Sequence, residues 1–430
     1  MLYLAHRVFT LLLGIGVLLV GGGLLGTALG MRANLAGFPE LVIGAVMAAY
    51  FAGFIVGTFV APPIIRQVGH VRAFSAFAAI ASTSGVLHAI WVDPWFWAVL
   101  RMLTGATLVG IYMVVESWLS EQSTRETRGR IFAIYMMTTL VALAMGQFLL
   151  TIGDVESFVP FAVATMLFSL GLVPIALTRM REPEPVEMPS LGIPHLFRVS
   201  PLSVAGAFFS GIAYAAFWGM GPVYASGIGL GQFGVAAFMA ATILGGALLQ
   251  IPIGHLSDAF DRRTIMAWAA LGAAGLSALT GLAGWVGLHP LIAVAFVHGG
   301  VLFTLYGLSV AHMNDHLEPG AVLEATKALL LVHGGGAVLG PLLAGLSMGL
   351  LGPHALQAFL ALVLMLLGGY AFHRKQVSPD IPEAEQGDYI PMVRTTQMAA
   401  ELDPRHQESF YADDEGAQEA GADADEADRV

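Results

Sequence analysis

Twelve apolar runs of about twenty residues each, bounded by Pro, Gly or charge, constrain this chain more than any other feature. They fall at about 8–30, 41–61, 72–92, 96–116, 131–152 and 158–178, and again at about 201–224, 233–254, 265–286, 290–312, 326–348 and 354–372. A helix needs about 20 residues to cross roughly 30 Å of hydrocarbon, and the strands of a membrane barrel would alternate apolar and polar instead. With 57% hydrophobic residues and only 11% charged, the chain carries too much apolar surface for a water-soluble core. The expectation is an all-α membrane protein of twelve transmembrane helices.

The runs divide six and six around Arg179–Arg198, a polar, Pro-rich stretch that reads as the linker between two halves. The expected organisation is a six-helix bundle over 1–178, a cytoplasmic linker over 179–200, a second bundle over 201–372 and an acidic, disordered cytoplasmic tail over 373–430. Much of the net charge of −11 belongs to that tail, where residues 376–430 hold 15 Asp or Glu against 3 Arg. Lys and Arg in short loops stay on the cytoplasmic side. With the N-terminus inside, Arg66, Arg72, Arg125, Arg128, Arg130, Arg179, Arg181, Arg198, Arg262 and Arg263 all fall in cytoplasmic loops, and only Arg32 falls outside. Both termini are therefore expected in the cytoplasm, with the first run retained as a span, since it is longer than a signal-peptide core and lacks a small-residue cleavage site. DPWFWAVLRMLTG from Asp93 and HPLIAVAFVHGGV from His289 carry a trace of duplication, as parallel repeats of six spans would.

QIPIGHLSDAFDRR, Gln250 to Arg263, is the most specific local motif. Gly254 permits close helix approach, while Asp258, Arg262 and Arg263 can cap a helix end and make charge-assisted bonds to a neighbouring bundle. The first-half counterpart, PPIIRQVGHVR, keeps Gly69 and Arg72 but has Arg66 where an Asp would match and Pro62 where a Gly would. Glu116 is a candidate acid for Arg66, Arg128 or Arg130. These loops resemble the loop signature of the major facilitator superfamily. Arg101-x-x-x-Gly105 is similar to the family's membrane-embedded Arg motif, and ESWLSEQSTRETRGR has the form of its four-to-five loop. LYGLSVAHMNDHLEPG with GGGAVLGPLLAG resembles the uncharacterised YcaD-type branch. The resemblance covers nearly the whole body and implies two pseudo-symmetric six-helix bundles and a secondary active or facilitative carrier in a bacterial inner membrane. Such a carrier moves a small organic solute by alternating access. The fifth run lacks the Gly-Pro motif of many drug:proton antiporters, whereas the eleventh has Gly336-x-x-x-Gly340-Pro341.

Ionisable groups inside spans are the candidate substrate or coupling residues. Arg101 can bind an anion, act as counter-charge to a titrating group, or snorkel outward. His298 and His333 lie near the midplane, where they can carry a coupled proton or pack as neutral rings. Gln147, Gln250, Tyr50, Tyr214 and Trp218 can line a cavity or serve interhelical bonding. His312 and Asp315 belong with the gating loops, and no acid occupies the middle of the first, fourth or seventh run, which keeps facilitated diffusion open. No ATP-binding loop, zinc-protease motif or nucleophile elbow is present, so no enzyme activity, cofactor or metal is expected. No basic surface suggests nucleic acid, and the expected partners are the solute, a proton as candidate coupled ion, and the bilayer around a monomer. A receptor or scaffold of the same fold acting through its acidic tail is the alternative.

Overall fold

The computed structural model describes residues 2–124, 127–178, 192–317, 321–377, 386, 387 and 389. Arg125, Arg179 and Arg181, most of the expected linker and nearly all of the expected tail lie outside the described residues. The first half comprises α1 (Leu2–Leu35), α2 (Glu40–Val68), α3 (His70–Ile90), α4 (Pro94–Gln122), α5 (Arg128–Phe148) and α6 (Val159–Ala176). A short α7 (Ile193–Val199) leads into α8 (Pro201–Gly227), α9 (Gln232–Ala259), α10 (Arg262–Val286), α11 (Leu288–Asn314), α12 (Val322–Leu351) and α13 (Ala355–Val377). Twelve of these are long and apolar enough to cross a membrane, and no strand occurs among the described residues.

Most helices run beyond the apolar segments that announce them. Intrahelical bonding satisfies the backbone whether the side chains meet lipid or water, so the helix does not stop where hydropathy falls. α2 continues through Pro62 and Pro63 to Val68. α13 reaches Val377 rather than ending near 372, with Arg374 and Lys375 in its last turn, where positive charge suits the helix dipole. Lys375 Nζ is 2.6 Å from Thr264 Oγ1 and 3.6 Å from Asp261 Oδ2, which ties α13 to the start of α10.

The two halves repeat one packing scheme. α2 lies along α4 as α9 lies along α11; α1 meets α5 and α6 as α8 meets α12 and α13; α3 contacts α4 and α6 as α10 contacts α11 and α13. Glycine makes the tightest pairs possible. A Cβ on Gly105 would sit 2.0 Å from the Tyr50 carbonyl oxygen, and one on Gly299 2.0 Å from that of Thr242. These crossings equate Gly105 with Gly299, two positions away from the register of the sequence match. Between the halves, α2 packs on α12 and α5 on α9, a related pair of contacts under the same pseudo-twofold. One end of the bundle collects Arg66, Arg72, Arg128, Arg130, Arg262 and Arg263 around the ends of α2, α4 and α9; the opposite end carries the turns after α1, α3, α5 and α8.

Candidate functional site

Small residues in α1 and aromatic residues in α2, α4 and α8 leave a cavity lined mainly by the first half and met by Trp218 and Gly219 of the second. Gly22, Gly23, Gly26 and Thr27 of α1 face Tyr50 of α2, Arg101 and Tyr112 of α4, and Trp218 of α8. Arg101 is buried, and its guanidinium carbon lies 4.4 Å from the centroid of the Tyr50 ring, a cation–π arrangement. A second cavity shares Tyr50 and Phe51 and extends to Thr58, Tyr214, Tyr306 and His333. Arg101 is the one charged side chain among the described residues lining either space. The volumes, about 30 and 50 Å³, hold a few waters rather than an organic solute.

His333 stands on the second-half wall. Its Nδ1 is 3.3 Å from Ser210 Oγ and 3.2 Å from the Ala207 carbonyl oxygen, so as a neutral ring it can donate from that nitrogen. Its ring packs 4.5 Å from that of Tyr306 and 5.6 Å from that of Tyr214. Trp218 stacks on Phe303, with centroids 6.3 Å apart and planes at 13°. Arg101, Tyr50, Tyr214, Trp218 and His333 thus come together. His298 does not join them: it is buried, and its Nε2 has no hydrogen-bond partner among the described residues. Gln147 is also buried, and its Nε2 donates to the carbonyls of Gly23 and Leu143 while its Oε1 accepts from Thr27. It braces α5 against α1 beside the cavity. Thr27, Phe303 and Tyr306 were not singled out in the sequence, because aromatics and Thr inside an apolar run look the same whether they face lipid, a neighbour or a cavity.

The halves are clasped at the end opposite the basic loops. Gln232 Nε2 donates to the carbonyls of Leu150 at 2.8 Å and Gly153 at 2.7 Å, and Asn34 Nδ2 donates to Ser226 Oγ at 3.2 Å. Nearby, a Cβ on Gly44 would lie 2.3 Å from the Pro341 carbonyl oxygen, so α2 and α12 are in backbone contact. Gly336 and Gly340 serve similarly against Phe208 and Ile212 of α8.

At the basic-loop end the second-half motif is knitted into its own bundle. Arg262 is buried and donates to both oxygens of Asp315 at 2.6 and 2.7 Å and to Asp258 Oδ1 at 2.7 Å. Those bonds join α9, α10 and the end of α11 instead of reaching the first bundle as expected. The reason is short reach: Asp315 follows directly on α11, which packs along both α9 and α10. Burial pushes the Asp315 carboxyl up from its ordinary value, against the pull of Arg262. Burial also acts to raise Asp261, but bonds from Thr264 and Arg263 prevail and hold its carboxyl low. Arg263 pairs with Asp261 at 3.2 Å. His312 is buried with its ring 4.6 Å from that of His316. In the first half Arg66, Arg72 and Arg130 are exposed, and Gly69 makes the α2–α3 turn at φ 83°. Glu116 is fully buried and accepts from Tyr135 Oη at 2.9 Å, while Arg128 Nε bonds to Ser123 Oγ at 3.1 Å. No cluster of metal-binding side chains occurs among the described residues.

The family model for the Major Facilitator Superfamily matches residues 11–317 and 203–407. The chain is 27% identical over 348 residues to the uncharacterised MFS-type transporter YcaD of Salmonella newport, spanning 79% of this chain and 88% of that protein. It is 28% identical over 306 residues to the YcaD of Shigella flexneri serotype 5b, spanning 70% and 78%. Among solved structures it resembles a mutant of the nucleoside transporter NupG, with TM-score 0.71, 13% identity, and coverage of 85% of this chain and 99% of that one. A bacterial homologue of the human lysosomal transporter Spinster, inward-facing and occupied, gives TM-score 0.70, 15% identity, and coverage of 89% and 98%. These likenesses establish a shared fold.

Proposed function

The chain belongs to the major facilitator superfamily, a family of membrane transporters, and from that premise we propose that it carries a small organic anion by alternating access around Arg101. The observation that carries this reading is the placement of one buried guanidinium, against Tyr50, in an aromatic cavity walled by both halves. A fixed positive charge there attracts a carboxylate or comparable anion, while Tyr50, Trp218, Tyr214 and Tyr306 favour a flat apolar body. The halves rock about this site. The bonds of Gln232 and Asn34 close one end and must break for the other state to form. His333 is the candidate for a coupled proton, because it lines the adjoining cavity, which shares Tyr50 and Phe51 with the Arg101 site, and bonds to Ser210 and Ala207. The bias of Arg toward one set of loops supports both termini on the cytoplasmic side of a bacterial inner membrane.

Thermal unfolding of purified protein with a panel of aromatic and aliphatic acids, each beside its neutral amide, tests the anion assignment. Acids are expected to stabilise the wild type and to lose that effect in Arg101→Gln. Equal stabilisation by acids and amides, or a response that survives Arg101→Gln, would rule it out.

A further inference from the structure

Outside the cavity, the polar cluster around Arg262 contains residues that do not belong to any helix. Gly387 and Tyr389, within the tail expected to be a solvated extension, lie against the basic-loop end of the second bundle. Arg262 Nη2 donates to the Gly387 carbonyl at 2.6 Å, the Gly387 amide donates to Asp315 Oδ1 at 3.1 Å, and the Tyr389 amide donates to Asp258 Oδ1 at 2.9 Å. All three contacts use tail backbone, and their partners are Arg262 and the two carboxylates it binds, Asp258 and Asp315.

The Tyr389 ring fills a slot whose floor is two glycines, Gly254 of α9 and Gly307 of α11. A Cβ on Gly254 would lie 2.0 Å from Tyr389 Cδ1, and one on Gly307 2.7 Å from Tyr389 Oη. At both positions the three nearest heavy atoms all belong to the Tyr389 side chain, so a side chain at either glycine would meet that residue first. The Tyr389 hydroxyl oxygen is buried without a hydrogen-bond partner among the described residues, so the slot recognises the ring and not the hydroxyl.

We propose that the slot between the ends of α9 and α11 is a docking site for this chain's own Gly387–Tyr389 segment, which straps α9, α10 and α11 together. Tethering raises the local concentration of the segment, so a small contact area suffices. α9 also carries Gln232 at its other end, so an occupied strap steadies a helix that has to shift when the halves part; this consequence, unlike the docking itself, rests on the carrier reading. Hydrogen–deuterium exchange on the full chain tests docking without any substrate. The amides of Gly387 and Tyr389 are expected to be protected in the wild type and in Tyr389→Phe. In Gly307→Ala and in Tyr389→Ala, protection should fall by roughly tenfold or more, with the exchange of the helices unchanged. If Gly307→Ala disturbs folding, Tyr389→Ala decides. Free exchange of these amides in the wild type, or undiminished protection in Tyr389→Ala, would overturn the proposal.

Discussion

Gly245 and Gly272 are both helical glycines of the second bundle, and replacing each with Ala should change stability in opposite directions. At Gly245 the new Cβ would fall 1.7 Å from the Phe296 carbonyl oxygen and 2.6 Å from its carbon. Both obstacles are backbone, so no rotamer change relieves them and α9 must separate from α11 by more than an ångström. Overpacking of this kind costs about 3 kcal/mol, offset by about 1 kcal/mol of helix propensity, which leaves a loss of about 2 kcal/mol. At exposed Gly272 the Cβ would meet nothing within 4 Å, so only the propensity gain of up to about 1 kcal/mol remains. For a cooperative unit the size of one bundle, these correspond to a fall of about 4–8 °C and a rise of about 2–4 °C in the unfolding midpoint. Intrinsic tryptophan fluorescence during a thermal ramp in detergent reads both. A Gly245→Ala protein that melts at or above the wild type would show that the α9–α11 contact is not as tight as argued.

Three further perturbations address the clasp, the brace and the motif. Gln232→Ala removes two bonds, worth about 1–3 kcal/mol together. It should speed maleimide labelling of a single cysteine placed at Gly26, in a chain that otherwise has none; an unchanged rate would remove Gln232 from the closed end. Gln147→Leu removes the side-chain bonds that join α5 to α1 at Gly23 and Thr27 and should cost about 1–3 kcal/mol of stability, whereas loss of ligand response at full stability would make Gln147 a substrate contact. Arg262→Ala removes the cation that pairs with the buried Asp315 carboxylate and the half-buried Asp258, and should lower stability by about 3 kcal/mol. Exposed Arg66→Ala should leave the melting curve where it is, and equal effects at both positions would contradict the asymmetry between the two loops.

The twelve spans were legible because lipid demands long apolar runs, and that demand leaves its mark residue by residue. Their ends were less so: Pro62 and Pro63 lie inside α2, and α13 passes through Arg374 and Lys375, because helical bonding continues in water. Arg101 could be singled out as a rare charge in a span, and the structure puts it on the cavity wall. Whether His298 or His333 would line the neighbouring cavity depended on the rotation of α11 and α12, which a run apolar on all sides does not record. Arg262 was marked by its motif, but its partner Asp315 is brought to it only by folding. Tyr389 sits in an acidic stretch with no periodicity, and its slot is announced only by Gly254 and Gly307, two glycines among 52.

Counterflow in proteoliposomes tests the carrier assignment most directly. Vesicles holding the purified protein and preloaded with an unlabelled acid chosen by thermal shift should transiently accumulate the labelled acid from outside, with no ion gradient imposed and no accumulation in Arg101→Gln vesicles. Binding of the acid without counterflow, at neutral and acidic pH alike, would contradict the alternating-access account.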